Sequence, residues 1–384
     1  MQVRRGRRRD PLWARLIVIF GAVLMLFSGG TLVGSHILIG QATDDITQRD
    51  DLIDGAAAAR GRNIDGAINM LLVGIDYRPW AAEAGARADT IVIVHIPKTH
   101  DQAYLVSIPR DWRVEISAHE KSGYRGGTDK INSAFSAGYE GGGSEIEKRA
   151  RGVSLLADTL HKQTGITFNG AAIIDFAGFE DVVREMGGVN MCIDQRAQSI
   201  HLAYDRNGKL VNITFDENTK RVSGVPEGGK RVVHEIGCRR MSAKLALDYS
   251  RIRYGLPNTD YDRQRHQQQL IKAIAKEATS KGMMTDLRKL NRVISAAGKA
   301  FVLDTGGVPI ADFVFTLKGV AANDLVMVKT NNGTYNGQRI GGVSYEFMSD
   351  ESMAMLHAVR DGTLADFLLA HPNFISSNQA PKTS

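Results

Sequence analysis

The chain has 384 residues, 43% of them hydrophobic and 23% charged, an ordinary globular composition with room for two domains or one large domain plus an extension. Its net charge of +6 has the look of a nucleic-acid signal, yet the first 15 residues hold six arginines (Arg4, Arg5, Arg7, Arg8, Arg9 and Arg15) against one acid, Asp10. The remainder is close to neutral, so the body of the protein carries no general basic surface and nucleic acid is excluded from the expected partners.

The basic tail, residues 1–15, leads into Leu16–Ser35, an uncharged apolar run of the ~20 residues needed to cross a bilayer. A buried charge costs several kcal/mol in lipid, and a run this clean is rarely accidental. Arginines on its N-terminal flank predict a single-pass cell-membrane protein with a cytoplasmic N-terminus and everything beyond residue 40 outside. The rival is a cleaved signal peptide; against it, the run exceeds the usual ~7–15-residue apolar core and no clear A-x-A site follows. Residues 36–67 are expected to form a juxtamembrane stalk, of which Gln41–Ala67 is polar, Asp-rich and Ala-rich. Cys192 and Cys238 are the only cysteines, and an outer compartment permits a disulfide between them.

The folded domain is expected over residues 68–280. Three short β-branched runs come first, Ile68–Ile75, Thr90–Ile96 and Ala103–Ile108, the last two joined as a hairpin. A Gly-rich loop precedes a helical pattern over Ile146–Thr164. Gly170–Phe176 reads as a strand, Ala177–Met186 as an amphipathic helix and Val189–Ile193 as a strand, a β–α–β unit. Met241–Asp248 reads as helical, Tyr249–Tyr254 as extended, and a long helix runs from about Tyr261 to Ser280. Residues 281–384 carry helix signals and a strand-like Asp324–Lys329, and read as a C-terminal accessory extension. The expected fold is α/β, a mixed central β-sheet flanked by helices and preceded by one N-terminal transmembrane helix.

The candidate chemistry lies at the strand ends. Asp76 closes the first strand and Asp89 opens the second, so neighbouring strands would bring two carboxylates to one sheet edge. Two anions at that range repel unless a proton or cation lies between them, and oxygen-only ligands suit Mg2+ or Mn2+. Taken singly, each aspartate also reads as a turn or cap residue. Arg110 ends the third strand. Arg251 and Arg253 alternate in YSRIRY, which in extended backbone points both to one face. Arg263 and Gln267 share a face of the following helix, with Arg265 and His266 between them. Like charges on one face point to an anion, and guanidinium matches phosphate bidentately; the bland alternative pairs these arginines with Asp248, Asp260 and Asp262. No G-x-S-x-G elbow, Walker A loop or metal-spaced His/Cys cluster is present. His95, inside an apolar strand, reads as structural.

The segments LLVGIDYR, RADTIVIVHI, LVSIPRDWRVEI, DKINSAFSAGY, FAGFEDVVREMGGVNMCID and YSRIRYGLPNTDYDRQRHQQQLIKAI resemble the LytR–CpsA–Psr family of cell-wall proteins in order, spacing and residue type. The resemblance covers roughly Ile68 to Ser280. It implies a phosphotransferase that moves a glycopolymer from a polyprenyl-pyrophosphate carrier to peptidoglycan, with Mg2+ as cofactor. On that likeness Asp76 and Asp89 hold the metal, and Arg110, Arg251, Arg253 and Arg263 hold the pyrophosphate with Gln267. Lys130 and Asn132 fall in the DKIN motif near the headgroup. The family commonly has Arg before its Gln pair where this chain has His266, so either Arg265 or His266 would face the substrate. The cysteine pair and the extension are similar to high-GC Gram-positive members. Two other readings remain open, a polyprenyl-pyrophosphate phosphatase with water as acceptor and a non-enzymatic lipid-phosphate-binding regulator.

Overall fold

Short β-branched segments at the start of the domain form strands as their alternation predicts. The computed structural model describes residues 47–48, 52–53, 55–59, 65–76, 86–280, 282–283, 286–308 and 325–376. The basic tail and the expected span Leu16–Ser35 lie outside them. Among the described residues no helix is long and apolar enough to cross a membrane.

The first half runs β1 (Thr47–Gln48), β2 (Ile68–Asp76), β3 (Arg87–Ile96), β4 (Ala103–Ile108), β5 (Arg113–Ile116), β6 (Gly127–Lys130), α1 (Ile131–Tyr139), α2 (Glu145–Thr164) and β7 (Gly170–Asp175). Next come α3 (Phe176–Glu185), β8 (Val189–Ile193), β9 (Ala197–Tyr204), β10 (Leu210–Asn212), β11 (Thr214–Asp216), β12 (Arg221–Ser223), β13 (Lys230–His234) and β14 (Gly237–Met241). The remainder is α4 (Ala243–Arg251), α5 (Asp260–Ala278), α6 (Leu287–Ala300), β15 (Phe301–Asp304), β16 (Leu325–Val328), β17 (Gly337–Ile340), β18 (Val343–Glu346), α7 (Asp350–Asp361) and α8 (Leu364–Ala370).

The central sheet is mixed, in the order β1-β15-β7-β2-β3-β4-β16. The β3–β4 hairpin forms as expected, and β2 pairs antiparallel with β3 and parallel with β7. Alternation along β2, β3 and β4 sends Leu71, Val73, Ile75, Ile91, Ile93, Val106 and Ile108 into one core, packed with helices α1, α2, α7 and α8. The long α2 begins on a capping box, in which Ser144 accepts from Glu147 N–H while the Glu147 carboxylate takes the Ser144 N–H. Opposite, α3, α4, α5 and α6 build a second core of their own around Val183, Tyr249 and Leu270.

Four expectations are corrected. The expected β–α–β unit does not form, because β8 leaves the central sheet to pair antiparallel with β14; in that ladder Cys192 stands opposite Cys238 and the two form a disulfide. The stretch Tyr249–Tyr254 is not extended throughout, since α4 continues through Arg251. The expected stalk over 36–67 contributes Leu52, Ile53 and Ala57 to the main core, and Asp304 Oδ2 accepts the Leu52 and Ile53 N–H groups at 3.0 Å each. The expected accessory extension supplies β15 and β16 to the sheet and α7 and α8 to its core. In each case a partner distant in sequence outweighs the local pattern.

Candidate active site

A bulge aims the central carboxylate. Gly74 pairs with Thr90 and Ile75 with Ala88, so β3 carries one extra residue at Asp89. Simple alternation from Ile91 would place Asp89 in the aliphatic core; the bulge turns it to the other face, toward α5. Gly74 permits this close approach, because a Cβ there would stand 2.8 Å from Thr90 Cβ. Counting from Leu72 and Gly74, Asp76 falls on the same face of the sheet as Asp89.

Four side chains of alternating charge meet at this point. Arg110, just past β4, donates Nη1–H to Asp89 Oδ1 and lies with Nε 3.6 Å from Asp260 Oδ1. Arg263, one turn into α5, pairs with Asp260 at 2.8 Å and donates to the Asp89 carbonyl oxygen at 3.1 Å. Burial works to raise the Asp89 pKa, but Arg110 and Arg263 overcome it and hold the carboxyl below its ordinary value. Asp260 behaves likewise, its burial outweighed by Arg263 and Arg110. Burial draws the Arg263 pKa down, whereas for Arg110 the three carboxylates of Asp89, Asp260 and Asp111 outweigh burial and raise it. The Nε atoms of Arg110 and Arg263 are buried with no hydrogen-bond partner among the described residues. Both guanidiniums therefore retain donor capacity that carboxylates do not use. The quartet meets the N-terminus of α5, where the helix dipole favours an anion.

The other expected site residues distribute around this cluster. Lys130 caps α1 and pairs with Asp111 at 2.9 Å; Asn132 is buried, and its backbone N–H bonds the Arg110 carbonyl at 3.2 Å. Arg253 pairs with Glu217 at 2.6 Å and lies 4.7 Å from the Tyr254 ring, close enough for its charge to act on Asp260 and Arg263. Arg251 does not share a strand face with it, since it ends α4 with its guanidinium 4.2 Å from the centre of the Phe176 ring. Arg265 turns away from the quartet, bound to Asp194 at 2.9 Å, Asp262 at 2.6 Å and Gln195 at 2.6 Å. His266 is fully buried and stacks on Tyr249 at 4.0 Å, and burial with the nearby Arg265 lowers its pKa to about 3. Neither residue joins Arg110 and Arg263. Asp260 is the site residue that the sequence reading treated only as a counter-charge; its i,i+3 spacing to Arg263 was the available signal.

Beside the cluster, between the sheet and α3, α4 and α5, lies an apolar cavity of about 180 Å3. Leu72, Val92 and Ile174 form its sheet wall; Leu270, Ile271 and Ile274 form its helix wall. Thr90, Gln267, Ser250 and Phe176 supply its remaining contacts near the cluster, so Asp89, Arg263 and Arg251 each neighbour a residue that lines it.

Asp76 and Asp89 offer oxygen ligands on one sheet face, and among the described residues no group of three or more His, Cys, Asp or Glu side chains is arranged to hold a metal. Such a pair fits Mg2+, which keeps several waters and takes further ligands from substrate phosphate rather than from an all-protein cage.

The LytR_cpsA_psr family model matches residues 38–360. The cell wall biosynthesis protein LcpA of Corynebacterium glutamicum is 26% identical over 340 residues, which are 81% of this chain and 58% of that protein; the chain thus spans less than two thirds of this relative. The polyisoprenyl-teichoic acid–peptidoglycan teichoic acid transferase TagU of Oceanobacillus iheyensis is 24% identical, with 94% of this chain and 96% of that protein covered. The crystal structure of B. subtilis TagV shares the fold at a TM-score of 0.54 and 16% identity, covering 79% of this chain and 99% of that one.

Proposed function

The chain belongs to the LytR–CpsA–Psr family, and from that premise we propose that it is a phosphotransferase moving a glycopolymer from a polyprenyl-pyrophosphate carrier to peptidoglycan. The supporting observation is one adjacency: the Arg110–Asp89–Arg263–Asp260 quartet borders an apolar cavity. A lipid pyrophosphate has the same two parts, a dianionic head and a hydrocarbon tail. TagU's name assigns that relative a transfer from a polyisoprenyl carrier to peptidoglycan. The anchor expected at Leu16–Ser35, with the domain outside the membrane, belongs to the same proposal.

In this reading the tail enters between the sheet and α5, and the pyrophosphate meets Arg110, Arg263 and the start of α5. Phosphate oxygens take the guanidinium donors that Asp89 and Asp260 partly occupy in the free protein. Arg251 and Arg253 close in from the α4 side, and Lys130 with Asn132 borders the headgroup. A peptidoglycan hydroxyl attacks the sugar-bearing phosphorus. A new P–O bond forms, the bond to the polyprenyl phosphate breaks, and the hydroxyl proton passes to solvent. Negative charge grows on the leaving phosphate, where the arginines stabilise it. Asp76 and Asp89 would hold Mg2+, which supplies further charge neutralisation at the phosphates.

Two outcomes test the proposal with a polyprenyl-pyrophosphate-linked glycan and peptidoglycan as substrates. Arg263→Ala lowers transfer by about 100-fold or more in protein that still folds, with a lower melting temperature because buried Asp260 loses a partner; transfer near the wild-type rate would refute the assignment. Chelating divalent cations lowers transfer by the wild type, and Asp76→Ala weakens the response to added Mg2+; identical Mg2+ titrations would remove the metal from the scheme.

A further inference from the structure

Helix α5 has a second cavity on its other flank. The apolar cavity lies along Gln267, Ile271 and Ile274, whereas a polar one of about 170 Å3 lies along Tyr261, Gln264 and Gln268. Ser107 of β4 and Lys329, directly after β16, line it too, and Arg265 with its partner Asp194 contributes to its wall. The two cavities share no lining residue.

Two side-chain atoms lining the polar cavity lack the partner that burial demands, and a partly exposed ammonium lines it beside them. Ser107 is 2% exposed, and its hydroxyl has no hydrogen-bond partner among the described residues. Gln264 is 6% exposed; its amide nitrogen donates to Asp260 Oδ2 at 3.2 Å, which fixes the amide's orientation and leaves Oε1 buried without a donor. The Lys329 ammonium has no carboxylate at ion-pair distance among the described residues, and both burial and Arg265 press its pKa down. A buried polar atom left unmade costs about 1–3 kcal/mol. Water satisfies a hydroxyl or an amide oxygen. Of the charged residues in the lining, Asp194 is already paired with Arg265 at 2.9 Å, which leaves one positive charge over, on Lys329; an occupant offering both hydroxyls and a negative charge matches this lining.

We propose that this polar cavity is a second binding site, for a hydroxylated glycan unit carrying one acidic group, and that it receives the acceptor. The ligand's hydroxyls meet Ser107 Oγ and Gln264 Oε1, and its anion meets Lys329. Gln264 joins the cavity to the phosphate cluster, since the Asp260 it holds is the partner of both Arg110 and Arg263. An acceptor bound here lies one side chain away from the proposed pyrophosphate position. The acceptor role rests on the transferase reading; the binding site does not.

The experiment separates the two. Binding of a soluble peptidoglycan disaccharide-peptide to the full chain is measured without donor, alongside inorganic phosphate as a competing anion. Lys329→Met is expected to weaken fragment binding about 10-fold or more, the loss of one charge-assisted contact, and Ser107→Ala to weaken it by a smaller factor. Binding of a polyprenyl pyrophosphate and the melting temperature stay at wild-type values in both variants. The proposal is overturned if the fragment fails to bind the wild type or binds both variants equally. It is also overturned if inorganic phosphate displaces the fragment at equal concentration, which marks a simple anion site. In turnover, the same variants raise KM for the acceptor and leave KM for the donor. Wild-type protein that binds the fragment yet transfers nothing refutes the transferase reading and leaves the binding site standing.

Discussion

Two histidines stay neutral for reasons visible only in three dimensions. His266 is stacked on Tyr249 with its pKa lowered to about 3 by burial and Arg265; His95 is buried beside Asn69, which meets its Nδ1 at 2.7 Å, with burial lowering its pKa to about 4. An unfolded chain protonates both near pH 6.5. Between pH 6.5 and 4 the unfolded state thus binds more protons, so stability is full above that window and declines as acid is added. Each histidine contributes a slope of about 1.4 kcal/mol per pH unit. The melting temperature is expected to fall between pH 7 and 5, and His266→Phe, which keeps a ring against Tyr249, should remove about half of the histidine-linked slope. Equal pH slopes in wild type and variant would contradict the assignment. The sequence separated these roles only in part. His95 was legible as structural because an apolar strand surrounds it, whereas the choice between Arg265 and His266 depended on where α5 points each side chain.

At the scale of elements, the β2–β3 bulge shows how one backbone irregularity decides the chemistry. It moves Asp89 from the aliphatic core to the arginine cluster, and Gly74 makes room for Thr90. Gly74→Ala is expected to cost about 1–3 kcal/mol through this clash and to weaken the phosphate site with it. Thermal melts check the cause: adding Thr90→Gly should recover part of the loss, and an undiminished loss in the double variant would rule out the steric account. Strand and helix positions up to β7 were legible because period-2 and period-3.6 patterns are local properties. Register is not local, so neither the bulge nor the departure of β8 to β14 could be read there. The end of α4 was missed for a similar reason. Tyr249 and Ile252 look like strand residues in isolation, yet both pack fully into the second core.

Across the whole molecule, chain remote from the charged cluster closes the sheet that carries it. β15 covers one side, β16 the other, and Met355, Leu356, Leu364 and Leu368 complete the main core. Truncation after Ser280 is therefore expected to abolish cooperative unfolding, exposing both new sheet edges and a large part of that core. A truncated chain with a wild-type-like melt would show that residues 68–280 fold alone. The sequence by itself determined the charge distribution, the apolar N-terminal run, the strand and helix periodicities, and the identity of the arginines and aspartates, because these are carried by residue types and short spacings. Only the tertiary structure decided which arginines meet. Arg110 and Arg263 converge on Asp89 and Asp260, Arg251 stacks on Phe176, and Arg265 turns to the opposite flank of α5. The physical reason is that each guanidinium is positioned by contacts with segments distant in sequence: a strand bulge, a helix end and a buried carboxylate.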